Sequence, residues 1–386
     1  MGDGEFIYRH GEPPSISGDL VTDKSSGKRG YFILRDSVLC KKRSKFHRKI
    51  WSRSIFGSKV SIDLDLERIQ LQLQDGGAVS LYPLTKDSFE AWTATLRKGS
   101  QRSFDQCYST GRSIGRGSYG QVWLGIDKRD AYQVAVKRLA KSSRKGERNA
   151  AIEREFAFLS RGIRCSRIVR ILDVFESVNE LVVVTEYMRG GCLLLDALNE
   201  EKRISEEKAA MVMRDLLQAL DCLQENGVIH RDIKPENLLA ERREWPSVMK
   251  LTDFGLAHVM ERPEERVKGQ LGSALFAAPE IAKGGTYGPE VDIWSAGIVL
   301  YNMLSGEFPF TSRSRTALLK KIQSASTQEM FEDKDLSHVS PPCMDLLRGM
   351  LDADPVRRIT AKEALESLWL KTMSPEPNAS EGAVLT

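Results

Sequence analysis

From Val60 to Gln74 apolar and polar positions alternate with period two. Ile62, Leu64 and Leu66 interleave with Asp63, Asp65 and Glu67, and then Ile69, Leu71 and Leu73 with Gln70, Gln72 and Gln74. Such alternation predicts half-buried antiparallel strands with one apolar face. Asp75-Gly76-Gly77 supplies residues that tolerate positive φ, and Ala78 to Tyr82 resumes the pattern, so a hairpin is expected. The period then becomes helical: Phe89, Trp92 and Leu96 fall at i, i+3 and i+7, with Asp87 or Ser88 as N-cap and Gly99 as the stop. Upstream, Gly18-Asp19-Leu20 and the run Lys28 to Leu34, leading into Ser37-Val38-Leu39, extend the β-rich texture over residues 16–101. Residues 100–107 (SQRSFDQC) read as a short polar linker. A second domain fills residues 108–371, and the small, polar, proline-containing stretch 372–386 is expected to be disordered.

Length and composition narrow the classes. At roughly 150 residues per domain, 386 residues make two to three folding units. The longest largely apolar uncharged stretch, Ile293 to Gly306, is shorter than the roughly 20 residues of a membrane-spanning helix. MGDGEFIYRH carries no apolar signal core, and Phe6 stands where a myristoylation site needs Ser or Thr. The six cysteines form no CxxC pair, which argues against a zinc or disulfide framework and fits a reducing, cytoplasmic or nuclear setting. Residues 1–106 hold 18 Lys and Arg against 13 Asp and Glu, a net of +5, whereas the remainder nets −1. The positive excess is thus N-terminal, and no nucleic-acid partner is expected.

Chemistry concentrates in the second domain. Ile114-Gly115-Arg116-Gly117-Ser118-Tyr119-Gly120-Gln121-Val122 is a GxGxxG run between strand-like segments. Its glycines would let backbone N–H groups approach phosphate oxygens; a tight hairpin turn is the plainer reading of the run alone. Val134-Ala135-Val136-Lys137 reads as a strand ending in an ammonium. A helix over about Glu147 to Arg161 follows, with Ile152, Phe156 and Leu159 on its apolar stripe and Glu155, or else Glu153, placed to reach Lys137. Then come His230-Arg231-Asp232-Ile233-Lys234-Pro235-Glu236-Asn237, Asp253-Phe254-Gly255 and Ala278-Pro279-Glu280.

In this order and spacing the five segments resemble the signature set of eukaryotic protein kinases. The resemblance implies an α+β, bilobal fold with a small β-rich lobe and a large helical lobe. It also implies transfer of the γ-phosphate of Mg-ATP to protein hydroxyls. Lys137, oriented by Glu155, would hold phosphates; Asn237 and Asp253 would hold Mg2+; Asp232 would take the substrate hydroxyl and Lys234 would steady the γ-phosphate. Ile114, Gly115, Gly117, Ser118, Gly120, Val122 and Ala135 would cradle the nucleotide, with Glu186 and Met188 facing adenine behind Thr185. Lys234 in HRDxKPEN resembles the serine/threonine class, and VDIWSAGIVLYNMLSGEFPF with DPVRRIT resembles the calcium/calmodulin-dependent group. Asp292 is expected to accept backbone hydrogen bonds from the HRD loop, and Arg358 to pair with Glu280. The alternative is a catalytically weak kinase-fold scaffold.

Several strands closed by one Trp-bearing helix resemble a pleckstrin homology (PH) domain, a small β-barrel or sandwich with a single C-terminal helix. That resemblance implies targeting to anionic membrane lipids or autoinhibition. Lys24, Lys28 and Arg29 are the candidate lipid contacts, together with the acid-free run of Lys41, Lys42, Arg43, Lys45, Arg48, Lys49 and Arg53. A solvated basic loop, or a contact with the rest of the chain, reads the same residues equally well. The expected location is cytoplasmic or at a membrane periphery.

Two departures stand out. No Ser, Thr or Tyr lies between Asp253 and Gly272, which makes loop phosphorylation an improbable main switch and leaves Glu264 or Glu265 as carboxylate substitutes or Ser273 as an atypical site. Cys192 occupies the position where many relatives carry an acid, which weakens an expected preference for basic substrates, although Glu236 remains.

Overall fold

The structure, a computed structural model, describes residues 10, 15–23, 28–35, 38–42, 45, 49–74, 76–101, 103–116, 120–140, 163–177, 179–262, 264–324, 330–331 and 336–373. The expected helix at 147–161, with Glu155 and Glu153, lies outside these residues, as do Gly117, Ser118, Lys24, Arg43, Arg48 and the tail beyond 373. Two compact units emerge: Met1–Ile152 with Ile171–Tyr187, and Glu153–Arg170 with Met188–Thr386.

In the first unit, β1 (Ser15–Asp23), β2 (Lys28–Arg35), β3 (Val38–Lys42) and β4 (Lys49–Ser54) form one antiparallel sheet in chain order. Strands β5 (Lys59–Asp63), β6 (Arg68–Gln72) and β7 (Ala78–Leu81) form a second, also antiparallel. Leu20, Phe32, Leu34 and Leu39 from the first sheet, Ile69, Leu71 and Leu81 from the second, and Trp92 and Leu96 of α1 (Lys86–Gln101) share one core. At about 25 cal/mol per Å², burying a ring the size of Trp92 contributes roughly 4 kcal/mol. The sheets join at Val21 and Tyr82, which exchange two backbone hydrogen bonds of 3.0 and 2.9 Å. Among the described residues no closed barrel forms; of the expected barrel or sandwich with one helix, the structure shows two sheets and a helix around one core.

Other local expectations change as well. The alternating run is not one continuous ladder, because residues 64–67 turn, with Glu67 at φ 48°. The turn puts Leu64 and Leu66 at 72% and 45% exposure, while Ile69, Leu71 and Leu73 are buried as their alternation predicts. Helix α1 begins before its expected caps, with Thr85 in place of Asp87 or Ser88: the Thr85 hydroxyl accepts from the Ser88 N–H at 3.2 Å. It also runs through Gly99, because the Ser100 carbonyl accepts from the Gly57 N–H at 2.7 Å and both helix residues are buried.

The same unit holds a five-stranded antiparallel sheet of β8 (Tyr108–Arg116), β9 (Gln121–Asp127), β10 (Gln133–Ala140), β11 (Ile171–Glu176) and β12 (Glu180–Glu186), in the order β11-β12-β10-β9-β8. One of its faces carries Val134, Val136, Val182 and Val184. Against these pack Tyr108, Leu172, Phe175 and, unexpectedly, Phe104. Residues 104–107 are therefore no free polar linker: they form a helical turn, α2 (Phe104–Cys107), whose ring stacks on Tyr108 at 5.7 Å and meets Phe175 edge-on at 5.8 Å. The Arg138 guanidinium, paired with Glu180 at 2.7 Å, covers the Phe104 ring at 4.7 Å. Nearby the His10 N–H donates to the buried Asp173 carboxylate at 3.2 Å, and Tyr108 donates to the same group at 2.5 Å.

The second unit is mainly helical: α3 (Leu193–Glu201), α4 (Glu206–Glu225), α5 (Pro279–Ala282), α6 (Glu290–Ser305), α7 (Arg315–Gln323), α8 (Pro341–Met350), α9 (Ala361–Leu365) and α10 (Leu368–Thr372). Helix α6 is apolar almost all round and buried almost throughout, as a central helix must be. The Glu206 carboxylate accepts from the N–H and hydroxyl of Ser340, at 2.8 and 2.7 Å, and from the Trp369 indole at 2.8 Å, so one charge ties α4, α8 and α10 together. Among the described residues no helix is long and apolar enough to cross a membrane.

Phe104→Ala is expected to destabilise the first unit by about 3 kcal/mol, the usual cost of deleting a buried phenyl ring; urea unfolding of the full chain measures it. A change within 0.5 kcal/mol would show that α2 is not part of that core.

Candidate active site

Residues 228–240 fold as two short strands flanking a loop. Val228–Ile229 pairs with His258–Val259, and Leu238–Ala240 with Met249–Leu251. Between them His230, Arg231, Asp232 and Asn237 are all buried. The loop is held from below by Asp292 on α6, whose two oxygens accept from the His230 N–H at 2.7 Å and the Arg231 N–H at 2.9 Å. Burial raises the Asp292 carboxyl above the usual carboxylate range, and the His230 and Arg231 contacts oppose that shift. Arg231 sits at φ 67°, a left-handed conformation costly for a residue with a Cβ. Its side chain reaches the Leu256 and Ala257 carbonyls at 2.7 and 3.4 Å.

Asp232 has differentiated oxygens. Oδ2 accepts from Lys234 Nζ at 2.7 Å and from Asn237 Nδ2 at 3.1 Å. A methyl group built at Gly272 would lie 3.6 Å from Oδ1 and only 2.5 Å from the Arg231 carbonyl, and Gly272 itself is at φ 87°. The bare glycine thus lets the segment before Ser273 lie directly against this acid. Asn237 Nδ2 also donates to the Asp232 carbonyl at 2.7 Å. With both acceptors on its nitrogen side, the amide is oriented and its carbonyl oxygen points the other way.

Asn237 and Asp253 are linked through backbone, since the Thr252 N–H donates to the Asn237 carbonyl at 3.0 Å. His230 donates through Nε2 to the Thr252 carbonyl at 3.0 Å and accepts the Asp232 N–H at Nδ1, 3.2 Å away, which fits one tautomer. Its ring meets Phe254 edge-on at 4.9 Å. Asp253, like Arg231, has φ 67°. The structure therefore brings Asp232, Lys234 and Asn237 together and connects Asp253 to them. Among the described residues no three His, Cys, Asp or Glu side chains gather as a metal cluster. An amide oxygen and a carboxylate suit a hard cation that takes its other ligands from phosphates and water.

Of the remaining expected residues that the structure describes, Ile114, Gly115, Val122, Ala135, Lys137 and Glu186 lie on the five-stranded sheet, Gly120 directly precedes β9, and Met188 belongs to the second unit. Lys137 pairs with Val122 and Val183, and Ala135 with Leu124 and Thr185, so these share the face opposite the Phe104 core. Ile114 and Gly115 lie where the β8–β9 ladder slips register; a methyl at Gly115 would meet nothing within 4 Å, whereas one at Gly120 would collide with the Arg138 carbonyl. Glu186 ends β12, and the buried Met188 accepts from the Gly191 N–H at 3.1 Å. Cys192 lies 3.9 Å from the Glu236 carbonyl, and burial raises its thiol, with Asp196 and Glu236 adding to the effect.

The loop after Asp253 corrects the expectation for Glu265. Its carboxylate accepts from the Glu261 N–H at 2.7 Å and meets His258 Nε2 at 2.7 Å, whereas the described partners of the Arg231 side chain are the Leu256 and Ala257 carbonyls. Farther along, Arg266 pairs with Glu290, and Arg358 pairs with Glu280 at 2.7 and 3.1 Å. Sequence reasoning missed Asp215 of α4, which accepts from Arg167 at 2.5 Å and from the Met249 N–H at 2.8 Å. The sole trace in the sequence was an acid on an otherwise apolar helix face.

The protein kinase domain family model matches residues 108–370. The chain is 34% identical over 276 residues to calcium-dependent protein kinase 8 of Arabidopsis thaliana, covering 71% of this chain and 51% of that protein. It is 34% identical over 268 residues to calcium/calmodulin-dependent protein kinase cmkA of Emericella nidulans, covering 68% and 62%. It is 35% identical over 270 residues to serine/threonine protein kinase OSK3 of Oryza sativa subsp. indica, covering 69% and 51%. The chain thus spans about half the length of most of these relatives.

The hydrogen bonds from Glu261 and His258 lower the Glu265 carboxyl below its ordinary value. Its contribution to loop order is therefore complete above the ordinary carboxylate range and is lost as pH falls through the depressed value. Amide protection across residues 258–266, referred to the intrinsic exchange rate at each pH, should fall on acidification in wild type and be low already at neutral pH in Glu265→Gln. Equal neutral-pH protection in both would remove the carboxylate from the loop's support.

Proposed function

Because the chain belongs to the protein kinase domain family, we propose that it transfers the γ-phosphate of Mg-ATP to serine or threonine hydroxyls of protein substrates. The observation that carries this reading is the Asp232 carboxylate, buried and oriented with one oxygen engaged by Lys234 and Asn237 and the other beside Gly272. Bound Mg-ATP supplies the transferable phosphoryl group and the divalent charge that makes its departure easier. Asp232 Oδ1 orients the substrate hydroxyl and takes its proton; Lys234 keeps a positive charge next to that oxygen pair. Asn237 and Asp253 would hold the metal through their side-chain oxygens. On the five-stranded sheet, Lys137 would hold phosphates, and Val122, Ala135 and Glu186 would line the base. Preorganisation, more than covalent chemistry, supplies the rate.

For the N-terminal module, membrane recruitment in the manner of a PH domain is supported by the basic run. It folds as the β3–β4 hairpin, with Lys42 opposite Lys49 and Leu39 opposite Arg53, and with Lys45 exposed between the strands. Each such base is worth about 1 kcal/mol at an anionic surface.

With Mg-ATP and a mixed peptide library, wild type should incorporate phosphate and Asp253→Ala should do so at least about a hundredfold more slowly. Equal incorporation by both would defeat the catalytic reading and favour a scaffold. In sedimentation with vesicles containing phosphoinositide, the bound fraction should fall in Lys42→Glu/Lys45→Glu; unchanged binding would remove the hairpin as the lipid contact.

A further inference from the structure

Two half-buried thiols meet on the flank of α4, among residues that hold no place in the phosphoryl-transfer reading. Cys165 lies in the segment entering the second unit at residues 163–170, and Cys222 lies in the last turns of α4. The Cys165 sulfur is 4.0 Å from the Gln218 carbonyl, one turn before Cys222, while the Cys222 sulfur is 3.8 Å from the carbonyl of Arg164, next to Cys165. Each thiol thus lies against backbone beside the other, Cys165 on the turn of α4 that leads to Cys222 and Cys222 on the residue before Cys165. That sulfur also accepts the Arg167 N–H at 3.4 Å. The Arg167 guanidinium is fixed close by through Asp215.

These groups favour charge on one sulfur of the pair. The pairing with Cys222, the Arg167 and Ile168 N–H groups and the Arg167 charge lower Cys165 against the opposing effect of burial, and the same pairing raises Cys222. Arg164 and Ser166 are exposed on either side of Cys165, so a small reagent can reach it. Cys343 is buried and its thiol raised, Cys192 is raised by burial, and Cys40 and Cys107 belong to the first unit.

We propose that Cys165 and Cys222 are a redox modification site, closing a reversible disulfide within the chain when the protein meets a hydroperoxide. The Cys165 thiolate attacks a peroxide oxygen; the O–O bond breaks, an S–O bond forms, and hydroxide or an alkoxide leaves. Cys222 then attacks the sulfenic sulfur, the S–S bond forms, the S–O bond breaks, and the departing hydroxide takes the Cys222 proton as water. The two thiols lose two electrons and the peroxide gains them. The bond ties segment 163–170 to α4. That segment already exchanges hydrogen bonds with Leu251, two residues before Asp253: the Leu251 N–H donates to the Arg167 carbonyl and the Val169 N–H to the Leu251 carbonyl, both at 2.9 Å.

The test uses the full chain and stoichiometric hydrogen peroxide. Thiol titration should show a loss of two thiols per chain, and digestion should yield a Cys165–Cys222 joined peptide that dithiothreitol separates. Hydrogen exchange at 163–170 and 249–251 should slow in the oxidised form. Cys222→Ser should instead accumulate a sulfenic acid at Cys165 that a 1,3-dicarbonyl probe captures, whereas Cys165→Ser should label little at Cys222. Full retention of thiols, a disulfide joining other cysteines or two chains, or equal labelling of both variants would overturn the proposal; the wild-type peptide map decides even if a serine variant folds poorly.

Discussion

The Asp292 carboxylate is the constraint on which the rest of the site depends. It is buried on a nearly apolar helix and bonded to two consecutive backbone N–H groups, those of His230 and Arg231. A carboxylate in that position is unfavourable without such donors, so it holds the loop in the one conformation that provides them. That conformation puts Arg231 in the left-handed region, at a cost of roughly 1–2 kcal/mol that the charge-assisted bonds offset. Because Arg231 turns there, Asp232 emerges beside Lys234 and Asn237 instead of pointing along the strand. Geometry at the acid is thus inherited from a residue sixty positions later in the chain.

What the sequence reveals depends on how local the determining physics is. The HRD, DFG and APE segments are legible because their side chains bond within one loop or to a partner of fixed type, as Arg358 does with Glu280. The alternation from Val60 to Gln74 looked continuous because turn residues 64–67 are themselves apolar and charged in alternation; nothing in period two distinguishes a strand from a tight turn that preserves the phase. Gly99 was a plausible stop by composition, but the need of the Gly57 N–H for a carbonyl is a tertiary fact. Phe104 was concealed by polar neighbours, and only the register of β10 and β12 shows the apolar face that it covers.

Arg231 also explains how the loop after Asp253 can be ordered without a hydroxyl to modify. Its guanidinium is satisfied by the Leu256 and Ala257 carbonyls, and Glu265 supports the loop from within by bonding His258 and the Glu261 N–H. Both closures are local to the loop and its neighbours. Both are made of groups present in the chain from synthesis onward.

The anchoring of Phe104 bears on where the polypeptide can be cut. The family match starts at Tyr108, yet the hydrophobic interior of the five-stranded sheet includes a ring four residues earlier. A shortened chain starting at the matched boundary would leave a phenyl-sized void beneath Val134, Val136 and Val182, and its loss of stability could be mistaken for a regulatory effect of the missing N-terminal module. A cut that keeps this core must fall before Phe104, and comparisons of long and short versions are meaningful only when both keep that aromatic plug.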